Sequence, residues 1–316
     1  MSSTVLIVGA TGSTGRGAIK TISALLTADK SPLPGHKIIA VTRSASGAVA
    51  KEIAKLPGVT VIEKDWIGTT PEWLREHNVK RIYLASSVTA THFVDESGMY
   101  ASALAAGVEY VVRVSTGRPM VRPDSLAFYP RNHWAIERVL ESPEFESLPS
   151  SSIHPPAFGN MYLASAAEYI KETRKTGKQP AELRLAIDEH APHAIIDPAE
   201  VGAFGAHLLV SEDPSSTKSH YVVTGPVDVN GRDVVDIVEK HIGAKVGNVV
   251  FRDTSFFDNM AAYSPEKIRP YISTVKHSIG PAWEGKLAAS TASKEVPAIY
   301  APKRTPNDII DELLQE

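Results

Sequence analysis

Val5-Leu6-Ile7-Val8-Gly9-Ala10-Thr11-Gly12-Ser13-Thr14-Gly15-Arg16-Gly17-Ala18-Ile19 is the run that decides the fold. Four branched apolar residues in succession read as a strand buried on both faces, as in a parallel sheet. Glycines at 9, 12 and 15 follow at once, and Ala18, Ile19, Ile22, Leu25 and Leu26 then continue at helical spacing. Gly9 permits a tight turn out of the strand, Gly12 lets backbone N–H groups approach a pyrophosphate, and Gly15 lets the helix lie close to the sheet. With Thr11, Ser13 and Thr14 between them, these glycines aim a helix N-terminus and its partial positive charge at an anion. A glycine triplet alone also suits a surface turn. Strand before and helix after make this one a dinucleotide site.

Outward from that loop, strand and helix patterns alternate. Strands are expected over 37–42, 59–65, 80–85, 109–114 and from 151, with helices over 71–77, 93–106 and 130–140. Gly107 is the C-cap of the second of these helices. The fold class is α/β: a Rossmann-like, doubly wound parallel sheet with a smaller, mainly helical C-terminal substrate lobe. Residues 1–160 form the NAD(P)-binding core. Residues 161–316 continue it as mixed α/β and build the lobe, interleaved with the core in one unit.

Of the 316 residues 43% are apolar and 22% charged, which is ordinary for a soluble globular chain. A net charge of −3 supplies no basic field for nucleic acid. No apolar run reaches the ~18 residues of a membrane span. The chain has no cysteine, which excludes disulfides, thiol catalysis and thiolate metal sites; no metal site is expected. Met1-Ser2-Ser3 leads straight into the first strand, leaving no room for a signal or transit peptide, so the cytosol is the expected compartment.

Cofactor choice is read at the end of the second strand. An acid there accepts hydrogen bonds from the adenosine 2′-hydroxyl, whereas arginine pairs with a 2′-phosphate. Thr42-Arg43-Ser44 offers a cation and two hydroxyls, with no acid in the following stretch until Glu52. NADPH is therefore favoured over NADH, the alternative for Arg43 being a solvated strand end. Ser86 and Ser87, small residues after the fourth strand, suit close passage of the nicotinamide ribose. Later, Pro130 opens a helix on which His133, Ile136, Glu137 and Leu140 share one stripe.

Gly9-Ala-Thr-Gly-x-x-Gly15 resembles the short-chain dehydrogenase/reductase superfamily, in the form of its extended and atypical branches. The unit Ala105-Ala106-Gly107-Val108, strand, Ser115 resembles the NmrA-like family in particular. The resemblance covers most of residues 4–242. It implies that Asp65 and Trp66 border the adenine, although an Asx turn explains Asp65 equally well. It implies that His133 takes the place of the superfamily's lysine near the nicotinamide ribose, with Glu137 orienting or charging the ring. Tyr129 stands where Tyr-x-x-x-Lys would put its proton donor, and Ser115 stands beside it. The stretch Ile153-His154-Pro155 to Tyr162 resembles a family segment with His154 where arginine is usual. Pro155 would turn the chain over the nicotinamide, and Phe158, Asn160 and Tyr162 would wall the substrate site; a chain corner under the next helix is the other reading. Asp197 would N-cap a helix.

The resemblance implies a reductase using NADPH on a small carbonyl, quinone or activated alkene. The same family includes regulators that bind the dinucleotide without turning it over, so a redox sensor with a protein partner stays open. So does a non-redox isomerase or cyclase on the same fold. The expected partner is a small molecule, with neither nucleic acid nor membrane, and nothing in the sequence indicates an oligomeric state.

Overall fold

β1 (Thr4–Val8) is buried at all five positions, as its unbroken apolar run requires. In the computed structural model, which describes residues 2–211 and 219–315, it is a central strand of a seven-stranded sheet. The others are β2 (Lys37–Thr42), β3 (Val59–Glu63), β4 (Val79–Leu84), β5 (Tyr110–Val114) and β6 (Ser150–His154). After the two-residue strands β7 (Leu183–Arg184) and β8 (His193–Ala194) comes the last, β9 (Ser219–Val222). The order is β3-β2-β1-β4-β5-β6-β9, and every pairing is parallel. The winding reverses between β1 and β4, the switch point at which open α/β sheets take ligands.

Helices cover both faces: α1 (Ser13–Thr27), α2 (Ala48–Ile53), α3 (Pro71–Glu76), α4 (His92–Ala106) and α5 (Phe128–Leu140). After α6 (Gly159–Tyr162) and α7 (Ala164–Thr176), α8 (Pro198–Leu209) returns to the sheet. Side chains alternate along β1. Val5 and Ile7 join Ile19, Ile22 and Phe204 under α1 and α8, while Leu6 and Val8 join Met99, Tyr100 and Ile136 under α4 and α5. Gly107 caps α4 in the left-handed region (φ +74°), and Asp197 Oδ1 accepts the Ala199 N–H at 2.7 Å to start α8.

A second core holds the lobe. It joins α7 to α9 (Gly231–Ile242) and α10 (Ser255–Ala262) through Ile170, Val238 and Phe257, and takes in Ile309 and Ile310 of the helix Pro306–Leu313. The short pairs of β8 with β10 (Asp228–Val229) and of β7 with β11 (Val249–Val250) edge it. α8 and β9, from the second half of the chain, complete the sheet layer. Among the described residues no helix is long and apolar enough to cross a membrane.

Candidate functional site

At the C-terminal ends of β1–β4 lies a cleft of about 490 Å³. Gly9 adopts φ +76°, and a Cβ there would stand 2.2 Å from the Ala85 carbonyl oxygen. A Cβ on Gly15 would stand 2.0 Å from the Gly9 oxygen, so the turn closes only with glycine at both places. Gly12 is the N-cap of α1 and brings no side chain to it, and the first turn carries no acid. The helix's first N–H groups, which no intrahelical carbonyl can reach, are left for an anion.

Thr11, Gly12, Arg43, Asp65, Trp66 and Ser87 line this cleft. Arg43 is exposed and has no hydrogen bond or ion pair among the described residues. Its loop is held by Glu63, whose Oε2 accepts the Ala45 N–H at 2.8 Å. Asp65 lines the cleft, and its Oδ1 accepts the Ile67 N–H at 3.1 Å in an Asx turn.

Three residues expected here point elsewhere. Thr14 is 7% exposed, turned inward by the helix it opens. Ser13 lines a separate groove beside α1, with Arg16 and Asn160. Ser13 and Thr14 can therefore meet a ligand only through their backbone N–H groups. The Ser86 hydroxyl is committed to Glu96 Oε2 at 2.9 Å, leaving Ser87 as the cleft's serine.

The loop after β4 divides this cleft from a second cavity of about 300 Å³. Ser87 and Thr89 face the first and Val88 the second. Ser115, Tyr129, His133, Pro155, Phe158 and Tyr162 line one side of the second cavity, and Phe257, Met260, Val275 and Ser278 come from the lobe. Most of that wall is apolar. Asn160 is absent from it. One helical step is ~100°, so α6 turns Asn160 away from Phe158 and Tyr162 into the groove beside α1.

His133 and Tyr129 stand side by side, ring centroids 6.2 Å apart. The Tyr129 hydroxyl donates to Ser278 Oγ at 3.0 Å, and burial raises its pKa. Arg113 Nη2 donates to His133 Nδ1 at 2.7 Å. A guanidinium has no acceptor and keeps its protons, so the ring proton sits on Nε2. Nε2 makes no hydrogen bond among the described residues. Burial, with Arg113 and His92 behind it, holds the imidazole well below its ordinary pKa. His133 is thus a neutral donor at the cavity wall.

This corrects the expected role of Glu137, which neither orients nor charges that ring. Its Oε1 accepts from Ser115 Oγ at 2.8 Å and Arg113 Nη1 at 3.3 Å, and Oε2 from Arg118 Nη1 at 2.8 Å. Arg113 separates His133 from Glu137. On its other side Arg113 Nε meets Glu96 Oε1 at 2.5 Å, and Tyr100 and His92 complete the shell of that carboxylate. Sequence reading missed Arg113, Glu96, His92 and Tyr100. Two signs were present: a charge inside the apolar strand Tyr110-Val111-Val112-Arg113-Val114, and His92, Glu96 and Tyr100 four residues apart on one helix face.

With this geometry in hand, residues 1–305 match the NmrA-like family. No curated protein sequence matches the chain. Several solved structures share its fold. An NADPH-dependent quinone oxidoreductase from Escherichia coli, complexed with NADPH, superposes with a TM-score of 0.71 at 19% identity, covering 98% of this chain and 99% of that one. The Citrobacter sp. triphenylmethane reductase complexed with NADP(H) gives 0.70 at 17%, covering 98% and 100%. The leucoanthocyanidin reductase–NADPH complex from Vitis vinifera gives 0.70 at 14%, covering 99% and 100%.

Proposed function

The chain belongs to the NmrA-like family, and from that premise we propose that it is an NADPH-dependent reductase whose acceptor is a flat, apolar molecule of the quinone class. One observation carries the reading: an anion-ready cleft with a free arginine adjoins an apolar cavity into which a neutral imidazole brings an N–H. The residues of the cleft fit the cofactor. The uncapped start of α1 takes the pyrophosphate, Arg43 the 2′-phosphate, and Asp65 and Trp66 flank the adenine. Bound NADPH supplies a hydride equivalent.

The protein's part is to hold the acceptor, exclude water and stabilise the oxygen that gains charge. His133 does the last as a hydrogen-bond donor. It is a poor proton source, because a neutral imidazole that gave up Nε2–H would become an anion. Reduction of a simple ketone leaves a strongly basic alkoxide, which demands an acid. Reduction of a quinone leaves a phenolate, near the ordinary tyrosine range of ~10, which can wait for a proton from water. That is why the site favours quinones over unactivated ketones.

Two measurements test this. His133→Ala is expected to lower kcat/KM for quinones by about 10²-fold, within the range for losing a placed catalytic donor. Tyr129→Phe, whose hydroxyl faces Ser278, should cost less than about 10-fold on that scale. NADPH that binds tightly to the wild type without turnover across a quinone panel would instead make the protein a redox sensor.

Arg43→Asp probes cofactor choice. A charge-assisted contact contributes ~1.5–3 kcal/mol, so NADPH affinity should fall by roughly ten-fold or more while NADH affinity holds. Parallel losses for both dinucleotides would leave Arg43 a solvated strand end.

A further inference from the structure

Where β6 lies beside β9, three side chains from distant parts of the sequence bring donor atoms together. His154 Nε2 is 3.0 Å from His220 Nδ1 and 3.6 Å from Glu137 Oε1. His220 Nδ1 is 3.7 Å from Glu137 Oε2. The outer ring nitrogens are anchored on acceptors: His154 Nδ1–H donates to the Thr116 carbonyl at 2.9 Å, and His220 Nε2–H to Glu141 Oε1 at 2.9 Å. Those anchors leave both inner nitrogens with lone pairs, facing each other beside a carboxylate.

We infer that Glu137, His154 and His220 form a binding site for a divalent transition ion of the zinc type. Tetrahedral zinc with bonds of ~2.0–2.1 Å sets its donors roughly 3.3–3.4 Å apart; one donor atom from each of the three already lies within 4.8 Å of the others, so small side-chain shifts bring them to that spacing. Each histidine also has the outer-nitrogen partner that metal-bound imidazoles keep, a carbonyl for one and a carboxylate for the other. A void of about 10 Å³, lined by Leu140, Glu141, Ser150 and Ser152 among others, adjoins Glu137 and His220. That is about the space of one water, enough for a fourth ligand. The positions 137, 154 and 220 carry no ligand spacing in sequence, so the site is visible only in the fold.

Arg118 is the competitor. Its Nη1 stands 2.8 Å from Glu137 Oε2 and 3.4 Å from His220 Nδ1. The side chain is 42% exposed and free to swing into solvent. The ion displaces the guanidinium, and any proton held between the rings leaves to water. This inference stands apart from the reductase reading and needs no cofactor.

The test uses the full chain, stripped with a chelator and kept free of NADPH, titrated with zinc by calorimetry and with cobalt by visible absorption. One ion per chain and the intense bands of tetrahedral cobalt are expected. Glu141→Gln should weaken zinc by about 10–100-fold, as outer partners do, and His220→Ala by more. Arg118→Ala should tighten it, a gain that no unfolding could mimic. His190→Ala, on a side chain 77% exposed, should change nothing. No stoichiometric ion, affinity that survives His220→Ala, or an Arg118→Ala variant that binds more weakly would each overturn the assignment.

Discussion

Gly12→Val is expected to abolish NADPH binding and leave the fold standing. Gly12 has φ −76° and ψ 169°, a region open to valine, and a Cβ there would lie 3.2 Å from the Gly9 oxygen, needing a shift of a few tenths of an ångström. The branched side chain would fill the opening through which a pyrophosphate reaches the first N–H groups of α1. Losing two charge-assisted hydrogen bonds at ~1.5–3 kcal/mol each corresponds to roughly 10²–10⁴-fold in affinity. Thermal unfolding and far-UV circular dichroism should stay near wild type. Gly15→Val makes the contrast. Its Cβ would meet the Gly9 oxygen at 2.0 Å, so stability should fall together with binding. A folded Gly12→Val protein that still holds NADPH would remove the cleft as the dinucleotide site.

That loop was legible because its meaning is local. A run of buried branched residues, a turn that needs φ above zero and a helix start all lie within fifteen positions, and each constrains the backbone alone. Strands β2 to β6 were legible for the same reason, while β9, the seventh strand of the sheet, was not among those expected. The polar wiring beneath the cavity was not, because its bonds join separate elements: Arg113 meets Glu96 seventeen residues back and Glu137 twenty-four ahead. The His133 and Glu137 pair shows how spacing misleads. Four residues apart on a helix puts two groups on one face, yet an arginine from β5 comes between them and takes both. Asn160 failed on the same scale, since two residue steps along α6 set it on the other side from Phe158. Sequence spacing names a face; the neighbouring element decides what that face meets.

Arg113→Leu should destabilise the fold by about 3–5 kcal/mol in urea unfolding, because it strips one partner from a buried ionic cluster. Arg113, Glu96 and Glu137 all have side chains that are 0% exposed. Burial alone would push the Glu96 carboxyl up; Arg113, then His92, bring it well below the ordinary value of 4.5. A carboxylate depressed in the folded state contributes stability that is present above its unfolded pKa and lost as pH falls through the folded one. In the variant the balance reverses. Without Arg113, burial raises Glu96, the folded protein binds a proton more readily than the unfolded chain, and stability declines as pH rises past 4.5. The gap between wild type and variant should therefore narrow on going from pH 8 toward pH 5. Adding Glu96→Gln to Arg113→Leu should recover part of the loss at pH 8, since the stranded charge is gone. A small, pH-independent loss, with no recovery in the double variant, would mean that Arg113 merely fills space, and the tautomer assigned to His133 would lose its cause.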